Sequence, residues 1–148
     1  MADENSAGAV VFRREGKRIL FLILHYEEGH WDFVKGKIEK GEEEKDTVIR
    51  EAEEETGIKD LRFIPGFKEK VSYSYKRKGK TISKEAVFYL AESRTKEVRV
   101  SFEHKGFKWL EYDDAPRKIT YDNSKNVLKK ADKFLKEKVQ QSTIKEFG

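Results

Sequence analysis

An α/β (α+β) fold, with one β-sheet covered by helices on both faces, is predicted from three stretches of the sequence. Ile19 to Leu24 (ILFLIL) is continuously apolar, the pattern of a strand buried on both sides. Glu43 to Thr56 contains neither Gly nor Pro and is followed by Gly57, which suits a helix and its stop. Val127, Leu128, Ala131, Phe134, Leu135 and Val139 recur at helical spacing with lysines between them, which predicts a second helix from about 123 to 140 packed on the sheet.

The remaining elements follow in chain order. Ala7–Phe12 and Arg18–His25 read as a strand pair turning at Gly16. Asp46 and the early glutamates suit the positive N-terminal end of the first helix, and Val48, Ile49 and Ala52 form the apolar edge expected to dock it. Leu61–Ile64 is a short strand ended by Pro65-Gly66. Phe67–Lys76 and Thr81–Ala91 flank KRKGK as a hairpin around Gly79, with Val71, Tyr73 and Tyr75 alternating. Val98–Phe102 is expected as an edge strand and Gly106–Tyr112 as a further strand, before the helix capped near Asn123. Trp31 and Trp109 read as sheet or core aromatics.

Composition bounds the function. The chain has 148 residues, which suits one domain over residues 1–148, and its 36% hydrophobic and 12% aromatic content can bury a core although 41% of residues are charged. No apolar run is long enough for a membrane helix, and the N-terminus lacks the pattern of a secretory signal, so a cytoplasmic location and no membrane partner are expected. No stable protein partner is implied. With no cysteine, a metal would be held by oxygen or by histidine nitrogen. The net charge of +4 hides acid concentrated in residues 39–55 and base in 68–80 and 125–138, which would place an acidic site beside a phosphate-attracting surface. The sequence has no HExxH, GxxxxGK[ST] or GxSxG pattern, so zinc-hydrolase, P-loop and serine-hydrolase readings have no support.

The acidic helix carries the chemistry. Glu51, Glu54 and Glu55 stand at i, i+3 and i+4, so they share one helical face. Like charges at this spacing repel, and hard divalent cations such as Mg²⁺, which take oxygen ligands together with substrate phosphates, would relieve that repulsion.

The full spacing is Gly36, five residues, Glu42, seven residues, Arg50-Glu51, Ala52, Glu53, Glu54-Glu55, Thr56, Gly57, Ile58. It resembles the box of residues 36–58 that marks the Nudix hydrolases, which cleave nucleoside diphosphates linked to another moiety. The resemblance extends from AGAVVFRR through HWDFVKGKIEKGE to SFEHKGFKWL, and within the superfamily it is most similar to the asymmetric diadenosine tetraphosphate hydrolases. Val34 and Lys40 stand where that family commonly has Pro, and Ala52 is a small member of its aliphatic position.

The resemblance implies a Nudix fold, a mixed sheet sandwiched between helices, and Mg²⁺-dependent hydrolysis of a small-molecule nucleotide, most directly diadenosine tetraphosphate to ATP and AMP, with Mn²⁺ able to substitute. It implies that Glu51, Glu54, Glu55, the Gly36 carbonyl and Glu103 hold metal, that Arg50 and Glu42 brace the loop and helix, and that Gly57 closes the helix. The resemblance also implies a base that activates water, a role open to Glu51 or one of its neighbouring glutamates. Lys35, Lys37 and Lys80, or Arg77, would meet the phosphates, and Tyr73 and Tyr121 would stack a base. Two alternatives stay open: a pyrophosphohydrolase acting on RNA 5′ ends or damaged nucleoside triphosphates, and a non-catalytic nucleotide-binding sensor. Asp32 has no role on this reading.

Overall fold

The computed structural model describes residues 2–147, with side chains to Lys138. Strand β1 (Glu4–Glu15) turns at Gly16, whose φ of 61° needs no Cβ, into β2 (Arg18–Tyr26). Two short strands follow, β3 (Trp31–Asp32) and β4 (Val34–Lys37), and then helix α1 (Glu44–Thr56). The long hairpin of β5 (Arg62–Arg77) and β6 (Lys80–Glu92) precedes β7 (His104–Leu110), a single turn α2 (Ala115–Lys118) and α3 (Asp122–Phe147).

These strands form one mixed sheet, as expected. Its order is β3-β2-β1-β6-β5, with β7 also paired to β2, and β1 runs parallel to β6 while the other pairings are antiparallel. β1 divides one of its edges between two partners: Ser6 to Ala9 pair with β4, and Phe12 to Glu15 pair with β2. No helix among the described residues is long and apolar enough to cross a membrane.

The period of two along the central strands produces two cores. Val10, Phe12, Phe21 and Ile23 pack on one face with Ala115, Ile119 and the α3 residues Val127, Leu128, Ala131 and Leu135. Ala9, Val11, Leu22 and Leu24 pack on the other face with Val48 and Ala52 of α1 and with Ile58. The double burial expected of Ile19–Leu24 therefore has a helix behind each face.

Several sequence expectations are corrected. The stretches expected at Leu61–Ile64 and Phe67–Lys76 join in one strand, β5, which begins at Arg62 and whose register to β6 breaks between Phe63 and Lys68. Pro65-Gly66 makes a bulge there instead of an end, because Pro has no ladder N–H and Gly66 adopts φ 94° against the Phe134 ring. Val98–Phe102 is not a strand: its amides serve α1 instead, Arg99 N–H donating to the Thr56 carbonyl (2.9 Å) and Ser101 N–H to the Glu55 carbonyl (3.2 Å). These bonds satisfy helix-end acceptors that have no partner within the helix.

Ile49 is 48% exposed and lies outside the core, where Val48 and Ala52 are the apolar residues that α1 buries. α3 runs past 140 to Phe147, and the predicted stripe member Val139 lies outside the described side chains. The last strand ends at Leu110, short of Tyr112. β3, β4 and α2 were not anticipated, since segments of two to four residues cannot display a period.

Truncating Phe21→Ala in the fully buried core should lower the unfolding free energy by about 3–5 kcal/mol, whereas Ile49→Ala should stay within about 0.5 kcal/mol of the parent. Urea titrations of the two variants measure both values.

Candidate active site

Helix α1 is built to carry charge at its C-terminal half. Its start is secured by the Glu43 N–H, which donates to the Asp46 carboxylate (3.0 Å), and its end by Gly57 in the left-handed region (φ 76°), whose N–H donates to the Glu53 carbonyl (2.9 Å). Between these caps, Arg50 gathers the surrounding acids. Its Nε donates to Glu42 Oε2 (2.7 Å) and its Nη2 to Glu42 Oε1 (3.0 Å), a two-pronged pair, while Nη1 donates to Glu51 Oε1 (2.8 Å) and Glu54 Oε2 (3.2 Å). Nη2 also donates to the Lys37 carbonyl (3.0 Å), tying the strand to the helix. Glu42 Oε1 further accepts the Glu39 N–H and the Thr47 hydroxyl, both at 2.9 Å. The Arg50 hydrogen bond, with those of Glu39 and Thr47, lowers the Glu42 carboxyl from 4.5 to about 2, and the same pairing keeps Arg50 protonated.

β4 alternates between the two faces of the sheet. Gly36 faces α1, where a Cβ would overlap the Glu51 side chain, so glycine leaves the room in which the Glu51 carboxylate lies against the strand. Lys35, one residue earlier, faces the opposite side.

Glu55 is 5% exposed, and burial, then the neighbouring Glu51, then Glu103 push its carboxyl well above the usual carboxylate range. Its Oε2 has no hydrogen-bond partner. Across from that oxygen, at 3.8 Å, lies His104 Nε2, also buried and unpartnered; the other ring nitrogen meets Ser101 Oγ at 3.0 Å. Burial lowers the His104 pKa and favours its neutral form.

Glu54 is 60% exposed, drawn outward to Arg50, so the three α1 carboxylates do not converge as tightly as their spacing suggests. Among the described residues, no three His, Asp or Glu side chains stand grouped for a metal in this conformation. The donor set nevertheless fits a hard cation: it is all oxygen, it carries an orphaned buried carboxylate oxygen on Glu55, and Glu51, Glu103 and Gly36 adjoin it.

On the other side of β4 lies a cleft of about 490 Å³. Lys35, Tyr73 and Tyr121 line it together, over a floor of Val71, Ala86 and Phe88. Lys37 is exposed at the end of β4 and reaches the site through its carbonyl. Lys80 and Arg77 pair at the hairpin tip and do not line the cleft, and Arg77 is engaged by Tyr75 (2.7 Å) and Glu4 (3.4 Å).

Sequence reasoning missed several lining residues. Lys84 is there because the register sets it opposite Tyr73, which counting outward from the two-residue turn at Gly79 would have found. His30 stacks on nearby Tyr26 (4.6 Å between centroids) and tilts against Tyr121 (5.6 Å), a contact between segments distant in sequence that carries no local signal. Tyr26 in turn tilts against His104 (4.4 Å) and donates its hydroxyl to the Phe33 carbonyl (2.5 Å), so aromatic rings run continuously from the cleft rim to the buried carboxylate. Asp32 also lines the cleft.

Comparison with known proteins gives a consistent answer. The NUDIX domain profile matches residues 3–131. The asymmetrical bis(5′-nucleosyl)-tetraphosphatase of Rattus norvegicus is 32% identical over 142 residues, covering 88% of this chain and 94% of that protein. A crystal structure of a C. elegans Ap4A hydrolase binary complex superposes with a TM-score of 0.80 at 32% identity, over 90% of this chain and 98% of that one. The RNA pyrophosphohydrolase of Sulfurovum is 24% identical over 145 residues, covering 90% of this chain and 92% of that protein.

The depressed Glu42 carboxyl makes a prediction about acid stability. A group whose pKa is lowered by folding contributes stability that is present above its ordinary value and is lost as the pH falls toward the folded value, here between 4.5 and about 2. Glu42→Gln should flatten the acid limb of the stability curve in that window, as read by chemical denaturation at a series of pH values.

Proposed function

Because the chain belongs to the NUDIX domain family, we propose that it is a cytoplasmic hydrolase of dinucleoside polyphosphates, with diadenosine tetraphosphate cleaved to ATP and AMP. On this reading residues 1–148 act as one Nudix hydrolase domain. The observation that carries the proposal is the path of β4, which presents Lys35 to a tyrosine-flanked cleft and Gly36 to the glutamates of α1, so one short strand spans both parts of a phosphate-linked nucleotide. The relatives named asymmetrical bis(5′-nucleosyl)-tetraphosphatase support the same substrate class.

Glu51, Glu54, Glu55, Glu103 and the Gly36 carbonyl would hold Mg²⁺, or Mn²⁺ in its place. Bound there, the cation neutralises phosphate oxygens and lowers the pKa of water. Tyr73 and Tyr121 stack the base, which is worth about 1–3 kcal/mol. Lys35 and Lys84 set positive charge against the polyphosphate. Glu51, ion-paired to Arg50, accepts the proton of the attacking water. The water oxygen bonds to phosphorus, the bridging P–O bond breaks, and its electron pair leaves with the departing nucleotide. Arg50 holds Glu51 and Glu54 in register with β4 throughout.

A second reading, hydrolysis at RNA 5′ ends, is favoured by one observation: Tyr73, Lys84, Arg77 and Lys80 share one face of the β5–β6 hairpin, a basic track leading away from the cleft.

Purified protein given diadenosine tetraphosphate and Mg²⁺ should release ATP plus AMP, and absence of metal-dependent release would remove the proposal. The same assay run on triphosphorylated RNA separates the two readings by their relative turnover, and no turnover on either substrate would leave a binding module. Glu55→Gln should lower kcat by at least about 10²-fold with the fold intact. Tyr73→Ala should raise KM about tenfold, the loss of about 1.4 kcal/mol of stacking.

A further inference from the structure

The cleft contains a carboxylate that the proposed chemistry does not use. Asp32, on the short edge strand β3, is 1% exposed. Its Oδ1 accepts the Phe33 N–H (2.8 Å), but its Oδ2 is buried without a hydrogen-bond partner. A carboxyl oxygen withdrawn from water without a hydrogen bond in this way needs a reason. Its one charged partner among the described residues is Lys35, whose Nζ stands 3.6 Å from Oδ2. The oxygen is too enclosed to meet a ligand directly, whereas Lys35, 18% exposed, reaches from it into the cleft.

We infer that Asp32 is a positioning residue that tethers the Lys35 ammonium at the phosphate end of the cleft before substrate arrives. A lysine has four rotatable side-chain bonds and loses that freedom when it grips an anion. Asp32 removes much of this loss in advance, because at 3.6 Å it holds the ammonium by charge and occupies none of its three N–H donors. These remain for the substrate. Lys37, two residues along the same strand, provides the internal contrast: it is exposed and forms no ion pair among the described residues. The opposing effect is charge, since a carboxylate beside the lysine also repels a polyphosphate. The burial of Asp32 and its fixed geometry on β3 favour the tether over the repulsion.

The inference rests on the reading of Lys35 as a phosphate contact but not on turnover, so binding decides it separately from the proposed reaction. Asp32→Asn keeps an acceptor for the Phe33 N–H and removes the charge. Calorimetry with Mg²⁺ present would measure inorganic tripolyphosphate and adenosine against the parent, Asp32→Asn, Lys35→Met and the double variant. Asp32→Asn should weaken tripolyphosphate binding about tenfold in the parent and less than about twofold in the Lys35→Met background, with adenosine binding unchanged. Equal losses in both backgrounds, a parallel loss for adenosine, or tighter tripolyphosphate binding would each overturn the tether. In the parent protein, NMR of the lysine ammonium groups gives a readout independent of any variant. Lys35 Nζ should be more ordered than Lys37 Nζ, and equal mobility would count against the proposal.

Discussion

Arg50 is the hub on which the acidic half of the protein depends. Helix α1 and the loop before it bring Glu39, Glu42, Glu51 and Glu54 within reach of a single guanidinium, and that guanidinium also grips the Lys37 carbonyl of β4. The planar, five-donor fork of arginine can do this where the point charge of a lysine cannot. Without it, the carboxylates would repel one another and the strand would lose its bond to the helix. Arg50 thus turns a self-repelling segment into a rigid bracket between helix and sheet.

The bracket holds two unlike environments apart by the thickness of one strand. On the α1 side, Glu55 is buried among other carboxylates and is forced toward its neutral form, a state that a hard cation would reverse. On the α3 side lie an apolar floor, aromatic walls and the ammonium groups of Lys35 and Lys84. Gly36 permits the close approach on one side, while Asp32 and Lys35 face the cleft on the other. A nucleotide base and its polyphosphate need these different surroundings, apolar stacking for one and charge for the other.

Loops that sequence inspection reads as connections also shape the site. Residues 99–101 give their amides to the end of α1, and Ser101 then meets His104, which faces Glu55. The segment expected as an edge strand is spent on capping a helix, which brings Glu103 beside the buried carboxylate. Helix capping and placement of the acidic cluster are therefore one structural event. The β5 bulge at Pro65-Gly66 has a related effect, letting the strand bend beneath Phe134 of α3 and continue to the cleft wall at Tyr73.

Features that are periodic or fixed by spacing can be read from the chain alone. The alternation of strands, the doubly buried β2, the two principal helices and the order Gly36, Glu42, Arg50, Glu51, Glu54, Glu55, Gly57 were all legible, because side-chain period and motif spacing are local properties of a chain. Lys35, Tyr73 and Tyr121 were also named from sequence, and they meet in one cleft. The fold as a whole turns Ile49 to water, draws Glu54 out to Arg50, sets residues 98–102 to cap a helix, and brings His30, Lys84 and Asp32 to the cleft. Each of these depends on which distant backbone or charge competes for a side chain. That competition is settled by packing and ion pairing across the fold, and no local period records it.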